Sequence, residues 1–183
     1  MEQKTLALVL DFKIFKENDK IIDLYTKKRG RICARLVGGR KITSKLSPQL
    51  NPLTFSLVRI VEKNEIRIAD ALEVDNLSKI RQSIVLFGQA LKLIEVLKEM
   101  IMPEQPDLDL WFFLRRSLTS GKISYFKLLS ILGYSPQNSN CLICHQKKTD
   151  FFWVQRQAFI CQKCLKGLKG NQNRLILKVN YEN

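Results

Sequence analysis

The stretch KIIDLYTKKRGRICARLVGG, residues 20–39, contains two apolar runs on either side of the basic turn TKKRG. In the second run Ile32, Ala34 and Leu36 alternate with other residues, which is the period of a strand with one buried face. Glycines follow each run, at Gly30 and at residues 38–39, where turns favour them. The stretch therefore predicts two β-strands, over residues 20–26 and 31–37.

Three more runs of this kind lie on either side of it. They cover residues 5–12, 53–61 and 65–74, and Asn64 stands at the bend between the last two. Five short strands are the number found in a small, partly open OB-type barrel. We therefore expect residues 1–75 to form an OB-fold-like five-stranded β-barrel.

Helical periodicity begins after the fifth strand. Apolar residues from Leu77 to Ile101 recur at helical spacing and predict one long helix, which ends before Pro103. Two further helices are predicted over residues 108–118 and 124–132, with Ser124 as the N-cap of the second. Residues 76–140 are therefore expected to be an α-helical domain that ends in a polar linker.

The cysteines near the C-terminus have the spacing of a metal site. CLICH at residues 141–145 also matches the attachment motif of a c-type haem, with His145 as axial ligand. A second Cys-x2-Cys pair follows after 16 intervening residues, which is the spacing of a tetrathiolate zinc site. We expect one structural Zn²⁺ rather than haem, and the predicted ligands are Cys141, Cys144, Cys161 and Cys164.

Two further expectations concern this part of the chain and the remaining cysteine. The segment between the pairs, FFWVQRQAFI, predicts a β-hairpin within a zinc-finger segment and tail over residues 141–183. Cys33 lies in an apolar stretch and is predicted to be a core residue. The predicted architecture is mixed and has two domains, a barrel followed by a helical domain with a C-terminal four-cysteine zinc finger.

The charge of the chain indicates a polyanionic partner. Thirty-one Lys and Arg residues against 17 Asp and Glu residues give a net charge of +14, which favours nucleic acid or an anionic surface. A membrane is the weaker choice, because no apolar run reaches the roughly 18 residues needed to span one. The first residues also lack the layout of a signal peptide, so we expect a cytoplasmic protein.

One basic segment stands out. Residues 27–45 contain eight cations and no acidic residue, on a predicted strand and its glycine-rich loops. Such loops of an OB barrel follow a phosphate backbone. The nearest aromatic residues, Tyr25 and Phe55, are expected to belong to the core rather than to stack on bases. The predicted nucleic-acid-binding residues are Lys27, Lys28, Arg29, Arg31, Arg35, Arg40, Lys41 and Lys45.

Catalytic motifs are missing from the sequence. It has no P-loop, no Gly-x-Ser-x-Gly and no His-Glu-x-x-His, and its one histidine leaves little capacity for acid–base chemistry. We therefore expect a binding protein rather than an enzyme.

Several motifs occur in an order that resembles the RecO family of bacterial recombination mediators. FKENDKIIDLYTKKRGR, GGRKITSKL and LNPLTF are similar to the family's N-terminal barrel, and FKLLSILGYSPQNSNCLIC is similar to its final helix and first zinc knuckle. The resemblance covers residues 6–164. Gly39 and Leu53 stand where the family commonly has Ala and Phe, and VQRQAF replaces a Gly-Gly turn.

The resemblance implies a role in DNA repair and recombination in the bacterial cytoplasm, at the nucleoid. Members of the family bind single- and double-stranded DNA and anneal complementary strands. With RecR they help to load RecA onto strands coated by single-stranded-DNA-binding protein, so the RecA filament is an indirect partner. The alternative is a zinc-ribbon RNA-binding or ribosome-associated module. Only 19 residues follow Cys164, where the family continues into further helix, so we expect a reduced site for single-stranded-DNA-binding protein.

Overall fold

A computed structural model describes residues 1–147, 149–168 and 175–179, apart from the side chain of residue 136. The N-terminal part is a closed five-stranded barrel with the strand order β1-β2-β3-β5-β4. Its strands are β1 (Glu2–Phe15), β2 (Asp19–Thr26), β3 (Gly30–Leu36), β4 (Phe55–Glu62) and β5 (Ile66–Asp75). All five predicted strands are confirmed, with boundaries shifted by at most three residues.

The long first strand joins two neighbours and so closes the barrel. Its first half pairs with β4 and its second half with β2, and the register shifts between Val9 and Asp11. Such an irregularity bends a strand and increases its twist, which a small barrel requires. Closure is completed by a parallel pairing of Arg35 on β3 with Arg67 on β5.

Apolar clusters lie on both sides of the barrel wall, one inside the barrel and one between the barrel and the helices. Residues that point inward, such as Ile22, Ala34 and Ile60, fill the barrel interior. Residues that point outward on β1, β2 and β4 pack on the helices, among them Tyr25 and Phe55, which are buried. The rings of Tyr25 and Phe55 lie 6.3 and 5.8 Å from that of Trp111. The prediction that these two aromatics belong to the core is confirmed.

The prediction for Cys33 is wrong, because this residue is exposed. It lies on β3 between Ile32 and Ala34, which both point into the barrel. Alternation along a strand therefore directs Cys33 outward. Partial desolvation by neighbouring groups, and then the nearby Asp23 carboxylate, raise the pKa of this thiol.

The helical region has four helices: α1 (Ser78–Arg81), α2 (Ile84–Met100), α3 (Leu108–Ser120) and α4 (Tyr125–Ile131). The prediction of one continuous helix from residue 77 to 101 is wrong. Ser83 interrupts it with an extended backbone, and its hydroxyl accepts a hydrogen bond from the N–H of Leu86, since serine is a favoured N-cap. The N-cap predicted at Ser124 is confirmed, because its side chain accepts from the N–H of Lys127.

The C-terminal part packs on these helices. The predicted hairpin is confirmed as β6 (Phe151–Trp153) and β7 (Ala158–Ile160), and a short helix, α5 (Gln162–Gly167), follows. A strand that the sequence did not indicate, β8 (Ile176–Lys178), pairs with the other side of β6. Phe152 joins the same apolar cluster as the helices, so the core continues across the predicted boundary at residue 140.

Candidate metal centre and nucleic-acid interface

The four predicted metal ligands lie together. The sulfur atoms of Cys141, Cys144, Cys161 and Cys164 all lie within 4.8 Å of one another, although up to 23 residues separate them in sequence. The Sγ atoms of Cys144 and Cys161 are 3.7 Å apart. Zn–S bonds of about 2.3 Å at tetrahedral angles would separate two sulfurs by about 3.8 Å. The cluster therefore has the dimensions of a four-thiolate metal site.

Backbone N–H groups stabilise negative charge on these sulfurs. The N–H of Cys161 donates to Sγ of Cys141, and the N–H of Cys164 donates to Sγ of Cys161, both at 3.4 Å. Burial disfavours the Cys141 thiolate, but hydrogen bonds from the backbone of Cys144, Cys161 and Ile143 outweigh it and lower its pKa to about 6. Thiolates bind metal ions and thiols do not, so this arrangement favours binding.

One thiol of the cluster resists ionisation unless a cation is present. Hydrogen bonding to the Cys144 sulfur and burial raise the pKa of Cys164 to about 12. Four thiolates at this spacing repel one another, and a divalent cation between them removes that repulsion. The donor set therefore fits one metal ion, and His145, which is exposed, lies outside the cluster.

Hydrogen bonds and aromatic packing hold the hairpin of β6 and β7, together with β8, against the helical region. The ring of Phe152 lies 5.0 Å from Tyr134 and 4.9 Å from Phe159. Lys92 on α2 donates from Nζ to the carbonyl of Ile176 at 2.7 Å. The cluster thus ties the hairpin to a short helix in a part of the chain that is already docked on the protein core.

Two of the eight predicted nucleic-acid-binding residues lie at the junction between the barrel and the helices. Arg29 forms ion pairs with Glu62 at 2.7 Å and with Glu104 at 3.4 Å. Arg31 binds both carboxylate oxygens of Asp23 and donates to the carbonyl of Lys98. These guanidinium groups therefore use several of their donors within the protein.

Two more arginines of the set are also hydrogen-bonded within the barrel. Arg35 donates to Asp19 through Nε and Nη2 and to Glu65 through Nη1, at 2.6–2.9 Å. Arg40 is exposed and donates to the carbonyl oxygen of Glu17 at 2.8 Å. The run of cations without acids in the sequence is thus partly neutralised in the fold, because neighbouring strands supply the acids.

The four lysines of the set differ from the arginines. Lys27 places its ammonium group 5.3 Å from the centre of the Phe112 ring. Lys28, Lys41 and Lys45 are exposed, and their side chains have no hydrogen bond or ion pair within residues 1–147, 149–168 and 175–179. Their charges remain available to an external phosphate, and the whole set remains a prediction.

Sequence reasoning missed a second group of cations and aromatics next to these lysines. It lies on the β1–β2 hairpin and consists of Phe12, Lys16 and Lys20. The ammonium group of Lys20 lies 4.5 Å from the centre of the Phe12 ring. The alternation of Phe and Lys in DFKIFK was visible in the sequence, but not its position beside the loop at residues 37–54.

No helix in the described part of the chain has the length and apolar character needed to cross a membrane.

Comparison with known families matches the N-terminal part of the chain. The family model described as Recombination protein O N terminal matches residues 1–82, which comprise the barrel and α1.

Curated relatives extend the similarity over most of the chain, and they share the name DNA repair protein RecO. The protein from Thermodesulfovibrio yellowstonii is 29% identical over 176 residues, which are 90% of this chain and 70% of the relative. The protein from Caldanaerobacter subterraneus subsp. tengcongensis is 27% identical over 190 residues, which cover 96% of this chain and 77% of the relative. The protein from Bacillus pumilus is 28% identical over 173 residues, which cover 88% of this chain and 68% of the relative.

Proposed function

We propose that this chain, which matches the N-terminal family model over residues 1–82 and is similar to RecO proteins over most of its length, acts as a member of that family in DNA repair and recombination. In this role it binds single- and double-stranded DNA and anneals complementary strands. With RecR it helps to load RecA onto strands coated by single-stranded-DNA-binding protein. DNA repair is the role that the shared name of its relatives states.

The observation on which this proposal rests most is the closed barrel with its unpaired lysines. Lys41 and Lys45 are exposed on the loop that joins β3 to β4, and Lys28 is exposed on the turn before β3. The chain as a whole has a net charge of +14. Cations on loops of an OB-type barrel bind a phosphate chain without reading its bases.

The same charges support strand annealing without bond chemistry. Two DNA strands repel each other, and a cationic surface that holds both releases their condensed counterions and lowers the barrier to pairing. Such a surface needs no catalytic group. We therefore infer that the protein is a mediator rather than an enzyme.

We infer that the metal ion is Zn²⁺ and that its role is structural. Four thiolates at tetrahedral spacing favour zinc, and a site with four protein ligands has no open position for a substrate. The hairpin of β6 and β7 separates the two cysteine pairs, so a bound ion stabilises the fold of this segment.

A groove between α3 and α4 supports docking of the acidic tail of single-stranded-DNA-binding protein. It encloses about 920 Å³, with Phe113 and Ile131 among its apolar residues. Four cations and one acid line it, and the cations are Arg116, Lys122, Lys127 and Lys178. An apolar floor with a cationic rim suits a peptide that has both acidic and apolar side chains.

The annealing of complementary oligonucleotides, bare and coated with single-stranded-DNA-binding protein, tests the proposal. We expect faster annealing in both cases, with tail-deleted single-stranded-DNA-binding protein as the control for the coated case. Tighter binding of RNA than of DNA with the same sequence would contradict the proposal. That result would favour the zinc-ribbon RNA-binding module.

The groove is tested separately with a synthetic peptide of the acidic tail. Arg116→Ala and Lys127→Ala remove rim cations and are expected to weaken peptide binding. Lys147→Ala removes an exposed cation on the first zinc knuckle and serves as the matched control. Equal losses in the groove variants and the control would contradict the assignment.

A further inference from the structure

The open end of the barrel, beside the β1–β2 hairpin, contains an exposed aromatic side chain next to a cation. Phe12 pairs with Ile22 across the hairpin, and Ile14 pairs with Lys20. Directly paired residues on adjacent strands point to the same face. Since Ile22 points into the barrel core, Phe12, Ile14 and Lys20 continue the inner face of the barrel beyond its packed interior.

The loop between β3 and β4 forms the other wall of this depression, which we call the barrel mouth. Its volume is about 380 Å³, and its lining includes Phe12, Ile14, Lys20, Lys41, Ile42 and Pro48. The mouths of barrels are common positions for ligand sites of this size. Nothing in the described part of the chain covers the apolar groups, since Ile14 is 66% and Phe12 37% exposed.

Lys20 links the two walls and orients the aromatic ring. Its Nζ donates to the Ser47 hydroxyl at 2.8 Å and lies 4.5 Å from the centre of the Phe12 ring. The ring therefore has a cation over one face, while more than a third of its surface remains open to solvent. An aromatic face beside a lysine is the combination that binds a base together with its phosphate.

Charge selects the class of ligand. Lys41 lines the mouth, and Lys16 and Lys45 are exposed on the two loops beside it. The acids at the turn of the hairpin, between Phe15 and Lys20, are Glu17, which is exposed, and Asp19, which is paired with Arg35. A cationic rim around an exposed aromatic fits a nucleotide better than an apolar peptide.

We propose that the barrel mouth binds an unpaired base of single-stranded DNA, which stacks on Phe12 while the lysines hold the adjacent phosphates. This inference rests on the proposed function and extends it to strand selectivity. A base within a duplex is stacked and paired, so it enters such a depression only after leaving the helix. Pairing of the bound base with its complement removes it from Phe12, so the mouth favours the single strand over the annealed duplex.

Two substitutions of Phe12 test this inference in the full-length protein. Binding is measured by anisotropy with a labelled oligothymidylate and with a duplex of the same length. Phe12→Ala should weaken single-strand binding about tenfold, the typical effect of losing one stacked base, and leave duplex binding unchanged. Phe12→Trp should retain affinity, and its added fluorescence should be quenched by the single strand but not by the duplex.

Phe15→Ala is the matched control. It lies on the same strand, opposite Asp19, and its ring contacts Arg35 on the outer face of the barrel. Single-strand binding should be unchanged in this variant. Equal losses for Phe12→Ala and Phe15→Ala, or equal losses for single strand and duplex, would overturn the assignment of the mouth.

The outcomes separate this inference from the proposed function. If the unmodified protein binds no DNA, both fail together. If the unmodified protein binds and anneals DNA and Phe12→Ala does so equally well, only the base-stacking site is overturned. Circular dichroism checks that the variants are folded, which we expect because Phe12 is exposed.

Discussion

Arg35 and Asp19 form a paired contact that ties the third strand of the barrel to the start of the second. Nε and Nη2 of Arg35 donate to Oδ2 of Asp19 at 2.8 and 2.6 Å, and the other oxygen accepts from the N–H of Gly38 at 2.8 Å. Arg35 belongs to the predicted nucleic-acid-binding set, yet these contacts give it a role in the fold. A loss of binding in an Arg35 variant therefore needs a separate measure of stability.

Replacing the three unpaired lysines should separate DNA binding from folding. In the variant Lys28→Ala, Lys41→Ala, Lys45→Ala, each lost phosphate contact should reduce the slope of log affinity against log salt for single-stranded DNA by about 0.7. The thermal midpoint should be unchanged, because these side chains have no partner within the described residues.

Arg35→Ala is the comparison for this prediction. It leaves the Asp19 carboxylate without its guanidinium partner, so we expect a lower thermal midpoint. DNA titrations at several salt concentrations and thermal melts of both variants provide the check. A salt slope that does not change in the triple-lysine variant would contradict the placement of the phosphate contacts.

Asp19 should make the barrel sensitive to acid. The N–H of Gly38, and then Arg35, hold the pKa of this carboxyl below its usual value of 3.8 in the folded protein. A lowered folded-state pKa stabilises the protein at pH above about 3.8, and this contribution is lost as the pH falls through the folded-state pKa. Asp19→Asn should therefore be less stable at neutral pH, and its stability should fall less steeply below pH 3.8 than that of the unmodified protein. Denaturant unfolding at a series of pH values tests this, and parallel curves for the two proteins would contradict it.

The metal content should depend on the four clustered cysteines and not on the fifth. We expect one Zn²⁺ per chain and its loss in Cys164→Ser, because the remaining three thiolates no longer complete the coordination sphere. The barrel should remain folded while the hairpin of β6 and β7 loosens. Elemental analysis of protein purified without chelator measures the content. Cys33→Ser is the control, since Cys33 is exposed and lies outside the cluster. Equal zinc loss in both variants, or stoichiometric haem absorbance, would refute the assignment of a four-cysteine zinc site.

Gly30 should tolerate no side chain. It has φ of 67°, and a Cβ atom there would lie 2.3 Å from the carbonyl oxygen of Gln105, in the segment between α2 and α3. Gly133 also has positive φ, at 87°, but a Cβ atom there meets nothing within 4 Å. Left-handed backbone should cost each alanine variant about 1–2 kcal/mol. Gly30→Ala should lose more stability than Gly133→Ala, because the backbone of Gln105 must also move. Denaturant unfolding of both variants measures this. Equal losses of unfolding free energy would mean that the segment between α2 and α3 moves without cost.

The sequence by itself determined the barrel and the metal ligands, because both depend on short-range patterns. Alternating apolar residues direct one face of a strand inward whatever its partner is, so five strands were predicted at nearly their observed positions. A Cys-x2-Cys turn brings two sulfurs together locally, and two such turns complete a site. Ser124 likewise acts at the helix end where it stands, as the N-cap of α4.

Only the tertiary structure decided which cations are free to bind phosphate and which of them lie beside an exposed aromatic ring. Arg29 binds Glu104, which is 75 residues away in sequence, and Arg31 binds the carbonyl of Lys98, 67 residues away. A local run of charge contains no information about partners at such separations. The barrel mouth depends in the same way on a loop that returns to the first hairpin, where Lys20 reaches Ser47. Local periodicity therefore predicted the elements of this protein, whereas its free and neutralised charges depend on contacts between residues that are distant in sequence.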